Sequence, residues 1–206
     1  SRSPEDVVSE VGADAFRLYE MFIGPYEKTA PWNDNDLVGA RRFLERVWRF
    51  AGKVIKEKAQ ATDLEAMSAL HVAIQKVSGD IEGFKFNTAV AGLMICLNVL
   101  QDHNVAVSEL KLYIQLLAPF APHMTEELWS LVSANESIHL SKWPEFNPTL
   151  VQDDQIILPV QINGKHRADV AVPKDISESD LREKVLAQPT VQKYLAGSEP
   201  KKFIYV

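Results

Sequence analysis

Pro119 and Pro122 stand in the stretch Leu116-Leu117-Ala118-Pro119-Phe120-Ala121-Pro122-His123-Met124-Thr125-Glu126-Glu127-Leu128-Trp129. Each proline lacks an amide proton and pushes the residue before it out of helical geometry. A helix entering from Ser108, its expected cap, therefore has to stop here, and another has to start within one turn. Leu116, Leu117, Met124, Leu128 and Trp129 carry apolar surface on both sides of the break. Such a bend belongs in the core of a helical bundle.

The segments before the break have helical periodicity. Ser3 and Pro4 with Glu5 and Asp6 start a short helix that ends near Gly12, and a second runs from Ala13 to Phe22. The prolines and polar residues up to Asp36 read as an ordered loop and N-cap. From Asp36, at about 100° per residue, Phe43, Leu44, Val47, Trp48, Phe50, Ala51, Val54 and Ile55 share one broad face. Arg42, Arg46, Arg49, Lys53 and Lys56 form a stripe on the other side. Between Arg41 and Lys58 there are 7 basic residues and 2 acidic ones. Two further helices follow, one with Met67, Leu70, Ile74, Val77 and Ile81 as its core stripe, the next from Phe84 to Asp102. The last helix ends about Val132, with Glu126 and Glu127 as first-turn charges.

Beyond Ile138 the period is lost, and from Gln155 it becomes two: Ile156, Leu158, Val160 and Ile162, then Asn163-Gly164, then Ala168, Val170 and Val172. Asn-Gly between alternating runs signals a hairpin, because both residues tolerate the positive φ of a type I′ turn. Ser177 with Asp180 caps a helix over Glu178 to Ala187, a short helix spans Thr190 to Leu195, and residues 202–206 read as a closing strand. The expected fold is thus mainly an α-helical bundle followed by a small α+β domain with a β-hairpin, helices and a closing strand. Its boundaries are helices over 1–36, a bundle over 37–137, a linker over 138–154 and a terminal module over 155–206.

The 206 residues carry a net charge of −6, but residues 1–154 hold 14 basic against 22 acidic side chains and residues 155–206 hold 8 against 6. Binding follows local potential, so the average does not exclude an anionic partner. Cys96 is the single cysteine, which rules out an internal disulfide and fits a reducing, cytoplasmic setting. The longest apolar run, Ala89 to Leu97, is far short of the roughly 20 residues a bilayer span needs, so no membrane association is expected.

No Gly-rich phosphate loop, nucleophile elbow or paired catalytic carboxylate occurs, so no catalytic residue is expected in the chain. His71, His103, His123, His139 and His166 lack metal-ligand spacing and read as packing or cap residues, and Cys96 reads as inert core. Trp48 and Trp129 are expected on core faces. The row Arg42, Arg46, Arg49, Lys53 and Lys56 fits two descriptions equally, a solvated outer face and a phosphate-facing surface. The same holds for Lys165 and Arg167 beside the hairpin turn, and for Lys193, Lys201 and Lys202.

Gly12-Ala13-Asp14-Ala15-Phe16-Arg17-Leu18-Tyr19 resembles the segment after the KMSKS loop in class I aminoacyl-tRNA synthetases of the Leu/Ile/Val group. Arg42-Phe43-Leu44-Glu45-Arg46-Val47-Trp48, Phe86-Asn87-Thr88-Ala89 and the proline stretch with Glu126-Glu127-Leu128-Trp129 resemble the anticodon-binding helical domain of that group. Met21-Phe22-Ile23-Gly24-Pro25 with Trp32, Gln161-Ile162-Asn163-Gly164-Lys165-His166-Arg167 and Val191-Gln192-Lys193-Tyr194-Leu195 narrow the resemblance to bacterial-type leucyl-tRNA synthetases.

The resemblance implies a C-terminal part of an enzyme that joins leucine to tRNA-Leu using ATP and Mg. Residues 1–36 would then be connector helices following the catalytic domain. The catalytic and editing sites would lie upstream, so this part alone is expected to be inactive and to need no cofactor. It would act as a monomer, touching the upstream catalytic domain and docking tRNA-Leu by backbone and shape, with Arg42, Arg46, Arg49 and Lys53 on the helical side. Lys165, Arg167, Lys193, Lys201 and Lys202 would reach the tRNA elbow, and an end at Val206 would weaken that contact. The alternative is a helical protein-interaction scaffold whose basic stripe meets an acidic partner.

Overall fold

The computed structural model describes residues 3–25, 27–133, 136–151, 155–162, 165–173, 176–195 and 200, which fall into two compact units, 1–151 and 152–206.

In the first unit, α1 (Pro4–Val11) starts with a reciprocal cap in which the Ser3 hydroxyl accepts from the Asp6 N–H and the Asp6 carboxylate accepts from the Ser3 N–H. It ends at Gly12, whose φ of 89° is open to glycine without strain. The chain turns there into α2 (Ala13–Phe22), and Ala15, Leu18 and Tyr19 are buried. The Tyr19 hydroxyl accepts the N–H of Asn33 at 2.8 Å, and Asn33 caps α3 (Asp34–Glu57) by accepting from the Asn35 N–H. The cap is therefore Asn33, three residues before the expected Asp36. A core tyrosine fixes the Asn33 backbone and so selects it over the other polar residues nearby.

The α3 face bearing Phe43, Leu44, Val47, Phe50, Ala51 and Val54 is buried. Trp48 is not, at 44 % exposed. At about 100° per residue it lies on the edge of the apolar arc, where it lines a groove with residues of α1 and α2. Helices α4 (Leu64–Glu82) and α5 (Phe86–Gln101) make the most extensive helix pair, with Ala89, Gly92 and Cys96 buried on α5. A Cβ at Gly92 would stand 3.3 Å from Cδ of Lys76, so the missing side chain is the space in which that lysine stem lies.

Helix α6 (Val107–Leu117) begins one residue before the expected cap Ser108, whose hydroxyl bonds the Glu109 carboxylate instead. Thr62 fills the capping region from outside, its hydroxyl accepting the Ala106 N–H and donating to Glu109. The break then forms as expected. The Leu117 carbonyl accepts both the Phe120 and Ala121 N–H groups, and α7 (Pro122–Val132) starts with a proline. Because α7 starts at Pro122, Glu126 and Glu127 lie beyond its first turn. Glu126 accepts from the Ser137 hydroxyl and the Ile138 N–H, pinning a 3₁₀ turn at Ile138–Leu140. The stretch expected as a linker is thus docked on the helices through residue 151. Trp143 donates to the Ser78 hydroxyl, and Asn147 donates its N–H to Nδ1 of His71.

The second unit holds the antiparallel hairpin β1 (Gln155–Ile162) and β2 (Lys165–Pro173), with Ile156 opposite Val172, Leu158 opposite Val170 and Val160 opposite Ala168. Val170 and Val172 pack with Leu181 and Val185 of α8 (Glu178–Ala187) and Val191 of α9 (Pro189–Leu195). Ser177 caps α8 by accepting from the Asp180 N–H, as expected. The expected turn at Asn163-Gly164 and the closing strand at 202–206 lie outside the described residues.

The break is held from 109 residues away. Asp14 accepts the His123 N–H at 3.2 Å and the Met124 N–H at 2.7 Å, and its carboxylate is 2.8 Å from the His123 ring. These amides of the first turn of α7 have no intrahelical acceptor, so Asp14 acts as a cap borrowed from α2. Replacing Asp14 with Ala should lower the unfolding free energy by about 1–2 kcal/mol, the usual worth of a lost cap. Urea denaturation followed by circular dichroism measures this, with Asp14→Asn keeping a larger share.

Candidate nucleic-acid interface

Helix α3 carries the expected stripe outward. Arg42, Arg49, Lys53 and Lys56 are exposed, and Arg46 is half-buried. Glu45, between Arg42 and Arg46 in sequence, pairs with Arg41 at 3.0 Å, off the stripe. Arg49 donates Nε–H to the Glu45 backbone carbonyl, which orients its guanidinium without neutralising it. Among the described residues no ion pair involves Arg42, Arg46, Arg49 or Lys53. No carboxylate among the described residues therefore neutralises the positive charges of this face.

Arg46 differs from its neighbours. At about 100° per residue it is the member of the stripe nearest α5. Its Nη2 donates to the Asn98 side-chain oxygen at 2.6 Å and to the Gln101 side-chain oxygen. Both acceptors are neutral, so the guanidinium is fixed in place with its full charge. The repeat in α3 shows the stripe, but nothing local to it points to Asn98 or Gln101, which are 52 and 55 positions away.

The basic residues expected in the second unit are placed differently from one another. β2 has one more residue than β1 between the pairs Val160–Ala168 and Gln161–His166, and the bulged residue is Arg167. Its guanidinium carbon lies 4.2 Å from the centre of the Tyr194 ring, and Nη1 donates to the Tyr194 hydroxyl at 3.2 Å. Arg167 thereby ties β2 to α9. Lys193 is exposed on α9. Lys201 and Lys202, and the side chain of Lys165, lie outside the described residues.

A groove of about 550 Å³ runs beside the turn between α1 and α2, lined by residues that include Gly12, Asp14, Arg41, Glu45, Trp48 and His123. No serine, threonine or cysteine lines it, so the His123 and Asp14 pair has no hydroxyl or thiol to activate. Among the described residues no group of three His, Cys, Asp or Glu could hold a metal ion, and no helix is long and apolar enough to cross a membrane.

The other histidines and Tyr113 have partners within the chain. Burial holds His71 below its ordinary pKa, consistent with Nδ1 accepting the Asn147 N–H. The hydrogen bond to the Val99 carbonyl, with help from Glu65, raises His103. His139 lies 3.8 Å from Glu126, and His166 lies 2.9 Å from Asp169. Burial raises Tyr113, whose hydroxyl donates to the Leu93 carbonyl.

Residues 63–183 match the family model described as the anticodon-binding domain of tRNA ligase. Over 99% of its length the chain is 39% identical to a leucine–tRNA ligase of Nostoc sp. and 37% identical to that of Porphyromonas gingivalis, covering 25% and 22% of them. The chain thus spans about a quarter of the length of these curated relatives. Among solved structures, the Agrobacterium radiobacter LeuRS in a ternary complex with tRNA and LeuAMS aligns with a TM-score of 0.74 and 35% identity, covering 100% of this chain and 29% of that one.

Burial pushes the Cys96 thiol up to about 12, so almost no reactive thiolate is present near neutral pH. Cys96 in the folded chain should resist iodoacetamide at pH 8 over hours and react within minutes in urea, as followed by intact mass. Rapid labelling of the folded chain would contradict its place in the core.

Proposed function

Because the chain belongs to the family of tRNA ligase anticodon-binding domains, we propose that it is the tRNA-docking, C-terminal part of a leucine–tRNA ligase. The observation that carries this reading is the α3 face, where Arg42, Arg49 and Lys53 are exposed with no carboxylate partner among the described residues. A row of cations on a rigid helix matches the charge of a folded RNA backbone, and it needs no base contact to bind. Two of the three exposed tryptophans are engaged by their own chain, and the third, Trp48, lines the groove beside α1 and α2. Trp32 stacks edge-on with Tyr19 and donates to Asp34, and Trp143 donates to Ser78. Docking by phosphates and outline, with tRNA-Leu as the partner, agrees with that surface.

In this proposal the chemistry belongs to the remaining three-quarters of such an enzyme, where leucine, ATP and Mg would be bound and the ester to tRNA made. The present chain contributes no reacting group. Its work is to hold one end of the tRNA in register while the other end is used. Lys193 offers the second unit a further phosphate contact, while Arg167 supports that surface by holding Tyr194.

The test is tRNA-Leu binding at several salt concentrations. The double substitution Arg42→Glu and Arg49→Glu should weaken binding by tenfold or more, and it should flatten the plot of log affinity against log salt by about two, roughly one per lost phosphate contact. Tight binding of an equally charged acidic polypeptide with no preference for tRNA would favour the protein-scaffold alternative. Wild-type binding by the double variant at low salt would refute the proposal.

A further inference from the structure

The clasp on Arg46 has a consequence beyond fixing one arginine. A guanidinium has five N–H donors and no acceptor, so Asn98 and Gln101 must each present an amide oxygen to it. That choice fixes the other half of each amide. The two NH₂ groups sit on the same carbons as those oxygens and so lie next to the guanidinium, and neither has an acceptor among the described residues. The N–H groups of Arg46 beyond Nη2 are in the same position. Asn98 and Gln101 are three apart on α5 and share one face of it. Asn98 is exposed, and Arg46 and Gln101 are half-buried.

From this arrangement we infer that Arg46, Asn98 and Gln101 form a composite anion cradle for one phosphodiester of the RNA backbone, with Asn98 and Gln101 as positioning residues. The inference rests on the tRNA-docking reading and deepens it by extending the interface from α3 onto α5. A carboxylate at either amide position would hold Arg46 as firmly, but it would cancel the charge and remove two donors. Neutral amides hold the cation and leave it attractive. They also remove much of the entropy cost of ordering a long side chain when the anion arrives.

A merely structural clasp and an anion cradle give opposite answers to Gln101→Glu. The substitution keeps size and shape and turns a neutral acceptor into an ionised one. As a structural tie it should be kept or strengthened, with the thermal midpoint unchanged or raised and RNA binding unaffected. As a cradle it should lose about tenfold in affinity for a tRNA-Leu transcript at low salt, and its log–log salt dependence should become shallower by about one, with the midpoint preserved. Asn98→Asp should do the same, and it provides the second variant.

Binding by Gln101→Glu and Asn98→Asp with wild-type affinity and salt dependence would overturn the cradle while leaving tRNA docking by the rest of α3 intact. Failure of the wild-type chain to bind the transcript at low salt would overturn docking and cradle together. Loss of the folded state in both variants would also count against the cradle, since a carboxylate facing Arg46 should tighten the clasp.

Discussion

The structure of the helical unit depends on a carboxylate that caps a helix it does not belong to. Two prolines close together leave backbone groups that neither adjoining helix can satisfy, and a buried break with open N–H groups is costly. Asp14 takes two of those amides at the start of α7, and Arg17 of the same helix donates to the Pro119 carbonyl at 2.9 Å. One turn of α2 thus holds both sides of the break. The same helix supplies Tyr19, whose hydroxyl fixes the cap of α3. The position of the basic helix is in this way linked through α2 to the bend of α6 and α7.

In the proposed function, that linkage is what lets a cationic face serve on a chain of net charge −6. A flexible basic tail would attract RNA anywhere along its length. A row mounted on a helix whose opposite side is buried can meet phosphates only at fixed spacing, which turns attraction into orientation. Two small devices keep the row available. Glu45 is drawn away to Arg41, and Arg46 is steadied by amides instead of carboxylates.

What the sequence made legible is what depends on neighbours within a few positions. The proline break, the amphipathic split of α3, the alternation of the hairpin and the Ser177 cap all follow from local rules. Contacts between distant parts were not legible. Trp48 has the chemistry of a core residue, but it stands at the edge of the apolar arc and lines an open groove. Ser108 and Asp36 have the chemistry of caps, but tertiary contacts to Thr62 and Tyr19 move the helix starts away from them. Glu126 reads as a helix-dipole charge until residues 137 and 138 fold back onto it. The partners of Arg46 and the bulge that turns Arg167 toward Tyr194 belong to the same class. Asp14 stands in the segment Gly12 to Tyr19 that carries part of the resemblance, but its role as a cap is visible only once α7 is beside it.

In the proposed function a rigid cationic helix face grips tRNA by its sugar–phosphate backbone. Hydroxyl-radical footprinting of tRNA-Leu with the chain tests it most directly, because the cleavage reports on backbone sugars and is indifferent to base identity. The expected result is a contiguous stretch of protected backbone that fades as salt is raised, with Watson–Crick edges of the anticodon still open to base-modifying reagents. Absence of backbone protection at low ionic strength, or protection confined to anticodon bases, would contradict it.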